Sequence, residues 1–265
     1  MRIVDFHAHA FPDDLAERAI SAIAEQAPSA EAALDGKVSS LLRSMDAAGI
    51  EKTVVASIAT KPKQFPAILK WSREIASERI VPFPSVHPAD PEAVERVKAI
   101  REAGLRGIKL HPYYQEFDLD EGRMGPIYEA IRDSGLIWLC HTGYDVAFPR
   151  FRRCEPARIR EVVAAFPGLK LVTSHIGAWQ DWAAVREHLL GEPIYMEISF
   201  SLPFMSRDEA RGLLLAHPKE CILFGSDSPW ADQKEAIEQL RALDLGAERE
   251  AAILGQNALR LLGEK

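Results

Sequence analysis

Cysteine is scarce in this chain. There are three, Cys140, Cys154 and Cys221, among 265 residues, and no two stand at CxxC spacing. That excludes a disulfide framework and a thiolate zinc site, and it suits reduced, mostly buried thiols in a cytoplasmic protein. No apolar run approaches the ~18 residues needed to cross a membrane. No basic run stands out, and the net charge is −7. Phosphate backbones need basic patches, so nucleic acid is not an expected partner. No GxGxxG follows the first apolar stretch, which leaves a dinucleotide-binding fold without support. The N-terminus reaches "VDFHAH" at once, leaving no room for a signal peptide. Nothing reads as a linker or as low complexity.

What is present is ordinary in bulk: 47% hydrophobic and 27% charged residues, enough for a large core. The pattern along the chain is more informative. Short β-rich runs alternate with longer helical segments. The expected strands are 2–6, 52–58, 79–85, 105–110, 136–140, 169–174, 194–199 and 221–225. Helical patterns lie between them, for example at 91–104 and 124–135, both ending in glycine. Such alternation predicts βαβ units and a parallel sheet. Eight strands is the count of a closed (β/α)₈ TIM barrel, here a single domain over 1–265, with a doubly wound open sheet as the alternative. The stretch from Phe11 to about Val38 reads as a long first loop with helical character at "DDLAERAISAIAEQ", placed to cover the barrel mouth.

The histidines are not scattered on this rhythm. His7, His9, His87, His111, His141 and His175 all fall at or just after a strand's C-terminal end, the active-site face of an α/β barrel. Only His188 and His217 sit in or after helices. In "VDFHAH", residues i and i+2 of a strand share a face, so His7 and His9 can aim at one point. Asp227 in "FGSDSPW" follows the eighth strand, beside the first in a closed barrel. It can bind metal, or it can cap the helix expected at 231–241, as can Ser226 and Ser228.

The set "DFHAH", "GIKLHP", "CHTG", "SHIG" and "FGSDSPW" resembles the amidohydrolase superfamily, specifically the amidohydrolase-2 branch. That branch holds aminocarboxymuconate-semialdehyde decarboxylase and related aromatic-acid decarboxylases beside hydrolases and lactonases. The resemblance runs nearly end to end, through "ILGQNALRLLG". It implies that His7, His9, His141 and Asp227 hold one divalent metal, zinc first, with a position open for water whose pKa falls toward ~7. It further implies that His175 orients or deprotonates that water, or binds a second ion in a two-metal site, and that Asp227 or His175 handles the proton.

Lys109 has two readings: a carboxylated lysine bridging two ions, or an unmodified cation that meets a substrate carboxylate. The second is preferred, because neutral lysine is a poor ligand. Lys109 and His111 are then substrate-binding candidates. His87 is another, although "HP" at 87–88 and 111–112 equally suits a turn at a strand exit. Tyr113, Tyr114, Tyr144, Trp179 and Trp230 are candidate pocket walls. Arg150, Arg152 and Arg153 are either a carboxylate clamp or a solvated turn. The expected function is metal-dependent hydrolysis of a C–O or C–N bond in a small carbonyl or carboxylate substrate. A non-oxidative decarboxylase on the same site is the alternative, and a barrel that only binds is the least favoured. A homodimer is left open.

Overall fold

Eight short strands alternate with helices in the computed structural model, which describes residues 1–27 and 31–264. The strands are β1 (Val4–Ala8), β2 (Lys52–Ala56), β3 (Ile80–Phe83), β4 (Gly107–Leu110), β5 (Ile137–Cys140), β6 (Lys170–Thr173), β7 (Tyr195–Glu197) and β8 (Ile222–Leu223). Each overlaps its expected stretch. β1 is displaced two residues along the chain, which puts His7 inside the strand. Between β1 and β2 lie α1 (Asp13–Gln26) and α2 (Val38–Ala48). Residues 28–30 of that connection lie outside the described residues. Then α3 (Phe65–Ile75), α4 (Ala93–Glu102), α5 (Gly125–Asp133), α6 (Pro156–Ala165), α7 (Trp182–His188) and α8 (Arg207–Ala216) follow β2 to β7 in turn. After β8 come α9 (Gln233–Arg241), α10 (Ala247–Ala251), a π-helical turn (Ala252–Gln256) and α11 (Asn257–Leu261). Gly104 and Gly135, just past α4 and α5, sit at φ +79° and +67°, the left-handed geometry that ends helices.

All strand pairs are parallel, in the order 1-2-3 and 4-5-6-7-8. A few backbone hydrogen bonds close the two seams. Lys109 N–H donates to Pro84 O (2.8 Å) between β3 and β4, where Pro82 and Pro84 supply no N–H of their own. Phe6 N–H donates to Phe224 O (2.8 Å) and Asp227 N–H to His7 O (2.7 Å) between β8 and β1. The sheet is therefore a closed (β/α)₈ barrel, not an open sheet. One apolar cluster joins Val4, Phe6, Val54, Phe83, Leu139, Val172 and Leu223 from across the ring with Ala258 and Leu259 of α11. These residues can meet only in the barrel interior. The larger cluster lies between the strands and the helical layer. Among the described residues no helix is long and apolar enough to cross a membrane.

Asp5 latches the β8–β1 seam. Its buried carboxylate accepts from Ser226 Oγ (2.5 Å), Gln233 Nε2 (2.7 Å), Ser226 N–H (3.0 Å) and His7 N–H (3.1 Å). Burial pushes its pKa up to about 6, against those hydrogen bonds. Replacing Asp5 by Ala strands several buried donors at once. The expected cost is ~2–4 kcal/mol, at one to three per unpaired group, read as a lower urea midpoint. An unchanged midpoint would show that the latch contributes nothing.

Candidate metal centre

A cavity of ≈640 Å³ opens at the C-terminal end of the barrel. The seven residues nominated for metal, proton transfer or substrate by the family resemblance line it: His7, His9, Lys109, His111, His141, His175 and Asp227. A bulge in β1 helps to aim the first pair. Asp5 to Ala8 spans three residue steps where its partners Thr53 to Val55 span two. His7 Nε2 and His9 Nε2 then lie 3.2 Å apart, and Asp227 Oδ1 lies 3.5 Å and 3.2 Å from them.

The outer nitrogens decide what these atoms offer. His9 Nδ1–H donates to Ala56 O (2.8 Å), so His9 Nε2 carries a lone pair. His7 Nδ1 meets Glu197 Oε1 at 2.9 Å. Glu197 also accepts from His175 N–H (3.1 Å), Ser199 N–H (2.6 Å) and Ser199 Oγ (2.9 Å). Burial pushes the Glu197 carboxyl up to about 8, opposed by the hydrogen bonds from Ser199. Its oxygens are surrounded by donors, so His7 donates through Nδ1 and its Nε2 also carries a lone pair. Three acceptors thus face one another, and among the described residues Lys109 Nζ is the donor recorded on them, at 3.0 Å from His7 Nε2. Such a set suits a cation and repels itself without one. The donor chemistry, two imidazole nitrogens and a carboxylate oxygen, fits a divalent metal.

His141 belongs to a second grouping. Its ring stacks on His111 at 4.1 Å between centroids, and Asp145 Oδ2 lies 3.2 Å from His111 Nε2 and 3.6 Å from His141 Nε2. His141, His111 and Asp145 thus form one potential ligand group, and His7, His9 and Asp227 another. The two adjoin. His141 Nε2–H donates to Tyr144 O (3.0 Å) and His175 Nδ1–H to Ser199 O (2.9 Å). His141 Nδ1 and His175 Nε2 then face each other at 3.2 Å, so either a proton or a cation lies between them. His7 and His175 are 5.7 Å apart between ring centroids. Burial above all holds His7, His141 and His111 well below the usual imidazole range and lowers His175, which favours the neutral, ligating form. Burial likewise lowers the Lys109 ammonium, opposed chiefly by Asp227.

Backbone strain marks the same rim. Asp227 sits at φ +66°, His175 at +60° and Ile176 at +52°, a region that costs a β-branched residue most. Ile176 N–H is held on Glu197 O at 2.8 Å. Asp227 is not a helix cap: Asp232 caps α9, accepting from Lys234 and Glu235 N–H. Gly225 is required by close approach, because a Cβ there would lie 2.4 Å from Glu197 Oε2.

Other candidates fall elsewhere. His87 accepts Ala89 N–H in a turn (3.1 Å) and does not line the cavity. Tyr113 is buried, its hydroxyl donating to Phe151 O (2.6 Å) with Gly143 O also within reach (3.1 Å), while Tyr114, Tyr144, Trp179 and Trp230 do form walls. Arg150 lies over the Tyr144 ring, Arg152 pairs with Asp181 and Arg153 with Asp118, so none is a clamp in the cavity. Glu197, Ser199 and Asp145 were not anticipated. The signal for Glu197 was a lone carboxylate inside an apolar strand, "IYMEIS". Glu197→Gln is expected to weaken metal binding ~10–100-fold, as losing the partner of a ligating histidine does, in a chelator competition titration. Unchanged affinity would remove Glu197 from the site's support.

The amidohydrolase family model matches residues 4–263. The chain belongs to the amidohydrolase family. A comparison with curated proteins gave no match. Among solved structures, an uncharacterized TIM-barrel protein from Bordetella bronchiseptica is similar at 22% identity and TM-score 0.81, with 99% of each chain covered. So is 5-carboxyvanillate decarboxylase from Sphingomonas paucimobilis, at 14% identity and TM-score 0.76 over 100% of this chain and 99% of that one. A candidate 2-pyrone-4,6-dicarboxylic acid hydrolase from Pseudomonas putida is similar at 20% and 0.69, over 99% and 97%. At these identities the likeness carries the fold. Family membership and the convergent donor set together make this amidohydrolase a metal-dependent enzyme.

Proposed function

We propose that this amidohydrolase cleaves a C–O or C–N bond of a small carbonyl substrate, with His7, His9, His141 and Asp227 holding one divalent ion, zinc by preference. The observation that carries the reading is the meeting of His7 Nε2, His9 Nε2 and Asp227 Oδ1, each within 3.5 Å of the others, on the cavity wall. When bound, the ion supplies an activated water and polarises the substrate oxygen. The chain's residues do the rest. Glu197 and Ala56 O fix the ring orientations of His7 and His9. Asp227 can accept a proton on the oxygen not turned to the ion, and His175 can hold or return one at Nε2. Lys109 and His111 stand where a substrate carboxylate or carbonyl is met. Trp179, Trp230 and Tyr114 line the cavity and offer apolar walls against which a substrate can displace water.

The second reading is decarboxylation of an aromatic or unsaturated acid. The aromatic wall and the buried Lys109 amine favour it, since together they suit a flat acid. The three cysteines, free of disulfides, support a cytoplasmic setting, and net charge −7 supports a small molecule over nucleic acid as partner. The test is metal analysis of the purified protein alongside a panel of esters, lactones, amides and aromatic acids. Metal-dependent hydrolysis of one carbonyl class is the expected result. Carbon dioxide release without hydrolysis would replace the first reading by the second, and failure to bind any divalent metal would overturn both.

A further inference from the structure

The cavity extends well beyond the histidines, and its outer wall is helical. On α1, Leu15, Ala19, Ala22 and Ile23 recur at the spacing of one helix face, and all four line the cavity. Ala16 is the single buried residue of that helix. On α3, Ala67, Ile68 and Trp71 also share a face and line the same cavity. An amphipathic helix ordinarily presses its apolar stripe against a core. Here the α1 stripe borders a space instead, and on α3 Ala67 and Ile68 border the same space beside Trp71, which also packs against the core. Three of the seven residues are alanine, which keeps that space open as a channel. Arg18, Gln26, Thr60 and Gln64 are the polar residues of this part of the wall. The α1 stripe from Leu15 to Ile23 runs ~12 Å, at 1.5 Å per residue.

We infer that the space between α1 and α3 is a subsite for an extended hydrocarbon group, and that the substrate is a medium-chain acyl compound with its carbonyl at the histidines. The position of the carbonyl rests on the function proposed above, whereas the subsite is read from binding alone. Leaving such a stripe facing water costs free energy in proportion to its area, and an aliphatic chain laid along it recovers that cost. The occupant is part of the substrate because channel and donor set belong to one continuous cavity.

The test is calorimetric titration of the metal-loaded protein with acetate, butanoate, hexanoate and octanoate. Affinity is expected to rise about fourfold per methylene, the increment for burying one such group. Ala22→Trp, at an exposed position of α1, fills the channel and should collapse the difference between acetate and octanoate. Ile68→Asn on α3 should do so independently if the first variant fails to fold. Leu215→Gln, on the outer face of α8 and 42% exposed, should leave the series as it was. A flat series in the native protein, or a gradient that survives both channel substitutions, overturns the inference. If short esters are hydrolysed but the series is flat, the subsite alone is wrong. If the gradient appears but no carbonyl compound is hydrolysed, the subsite stands and the reaction must be reassigned.

Discussion

Replacing His7 and His9 together by alanine is expected to strip the protein of its divalent metal and of its turnover while the barrel persists. The two Nε2 atoms stand 3.2 Å apart and contribute half of the proposed four-residue ligand set. Their outer nitrogens are anchored on Glu197 and Ala56 O, so neither ring can be replaced by rotation of a neighbour. The four proposed ligands would together hold a divalent ion such as zinc. Two are too few to hold it against a chelator. The fold should survive, because the barrel interior is filled by Val4, Phe6, Val54, Leu139 and their apolar partners and owes nothing to the rim. The measurements are metal content after dialysis, turnover on whichever carbonyl substrate the panel identifies, and far-ultraviolet circular dichroism. Stoichiometric metal in the doubly substituted protein would place the ion elsewhere, with the His111, His141 and Asp145 group as the next site to test.

The barrel was legible because its elements announce themselves locally. Each strand is a short apolar run, and each of the helices expected at 91–104 and 124–135 ends at a glycine that adopts positive φ. What sequence missed were exact boundaries, one set by distant partners and two by side-chain hydrogen bonds at the end of the element itself. β1 runs to Ala8 instead of stopping at Phe6, although Asp5 looks like a poor strand interior. Its carboxylate is satisfied by Ser226 and Gln233, 221 and 228 residues away. β7 ends at Glu197, short of the expected 199, because the Glu197 carboxylate takes Ser199 N–H out of the ladder. α9 begins two residues late because Asp232 is the residue that caps it.

The candidate site divides in the same way. His7 and His9 could be paired from spacing alone, since a strand returns to the same face every second residue. Asp227 could be placed near them once closure of β8 on β1 was expected. Glu197 could not be assigned, because only the folded barrel brings it 2.9 Å from a histidine 190 residues earlier. Asp145 lies in the loop after β5, and nothing local distinguishes it. It gains a role from the stacking of His111 on His141, which turns both Nε2 atoms toward its carboxylate. The sequence offered His141 as a ligand only through the family resemblance, and the structure groups it with His111 and Asp145.

Single replacements of His175 and Lys109 decide the number of ions. With one ion, His175→Ala keeps the metal and lowers turnover by about 10²-fold or more, the loss expected when an acid–base group is removed. With two, it removes about one equivalent, and Lys109→Ala does the same, because an unmodified lysine is a poor ligand and a carboxylated one would be the bridge. Two features of the rim pull in opposite directions. Burial lowers the Lys109 pKa, which makes its amine more reactive toward carbon dioxide, and the facing His141 and His175 nitrogens could flank a second cation. Against this, Lys109 Nζ already lies at hydrogen-bond distance, 3.0 Å, from His7 Nε2. A carboxylate added to that nitrogen would have to give up this contact, and no glutamate stands on β4 to bridge in its place. With His141 Nε2 given to Tyr144 O, its Nδ1 is the atom left for a single ion, and the facing His175 Nε2 is then free to hold or release a proton, which is its acid–base role. The expected outcome is therefore one equivalent of metal in the native protein, retained in His175→Ala with turnover lost, and an unmodified lysine by intact mass. Two equivalents per chain, with a lysine heavier by one carboxylate, would make the site binuclear.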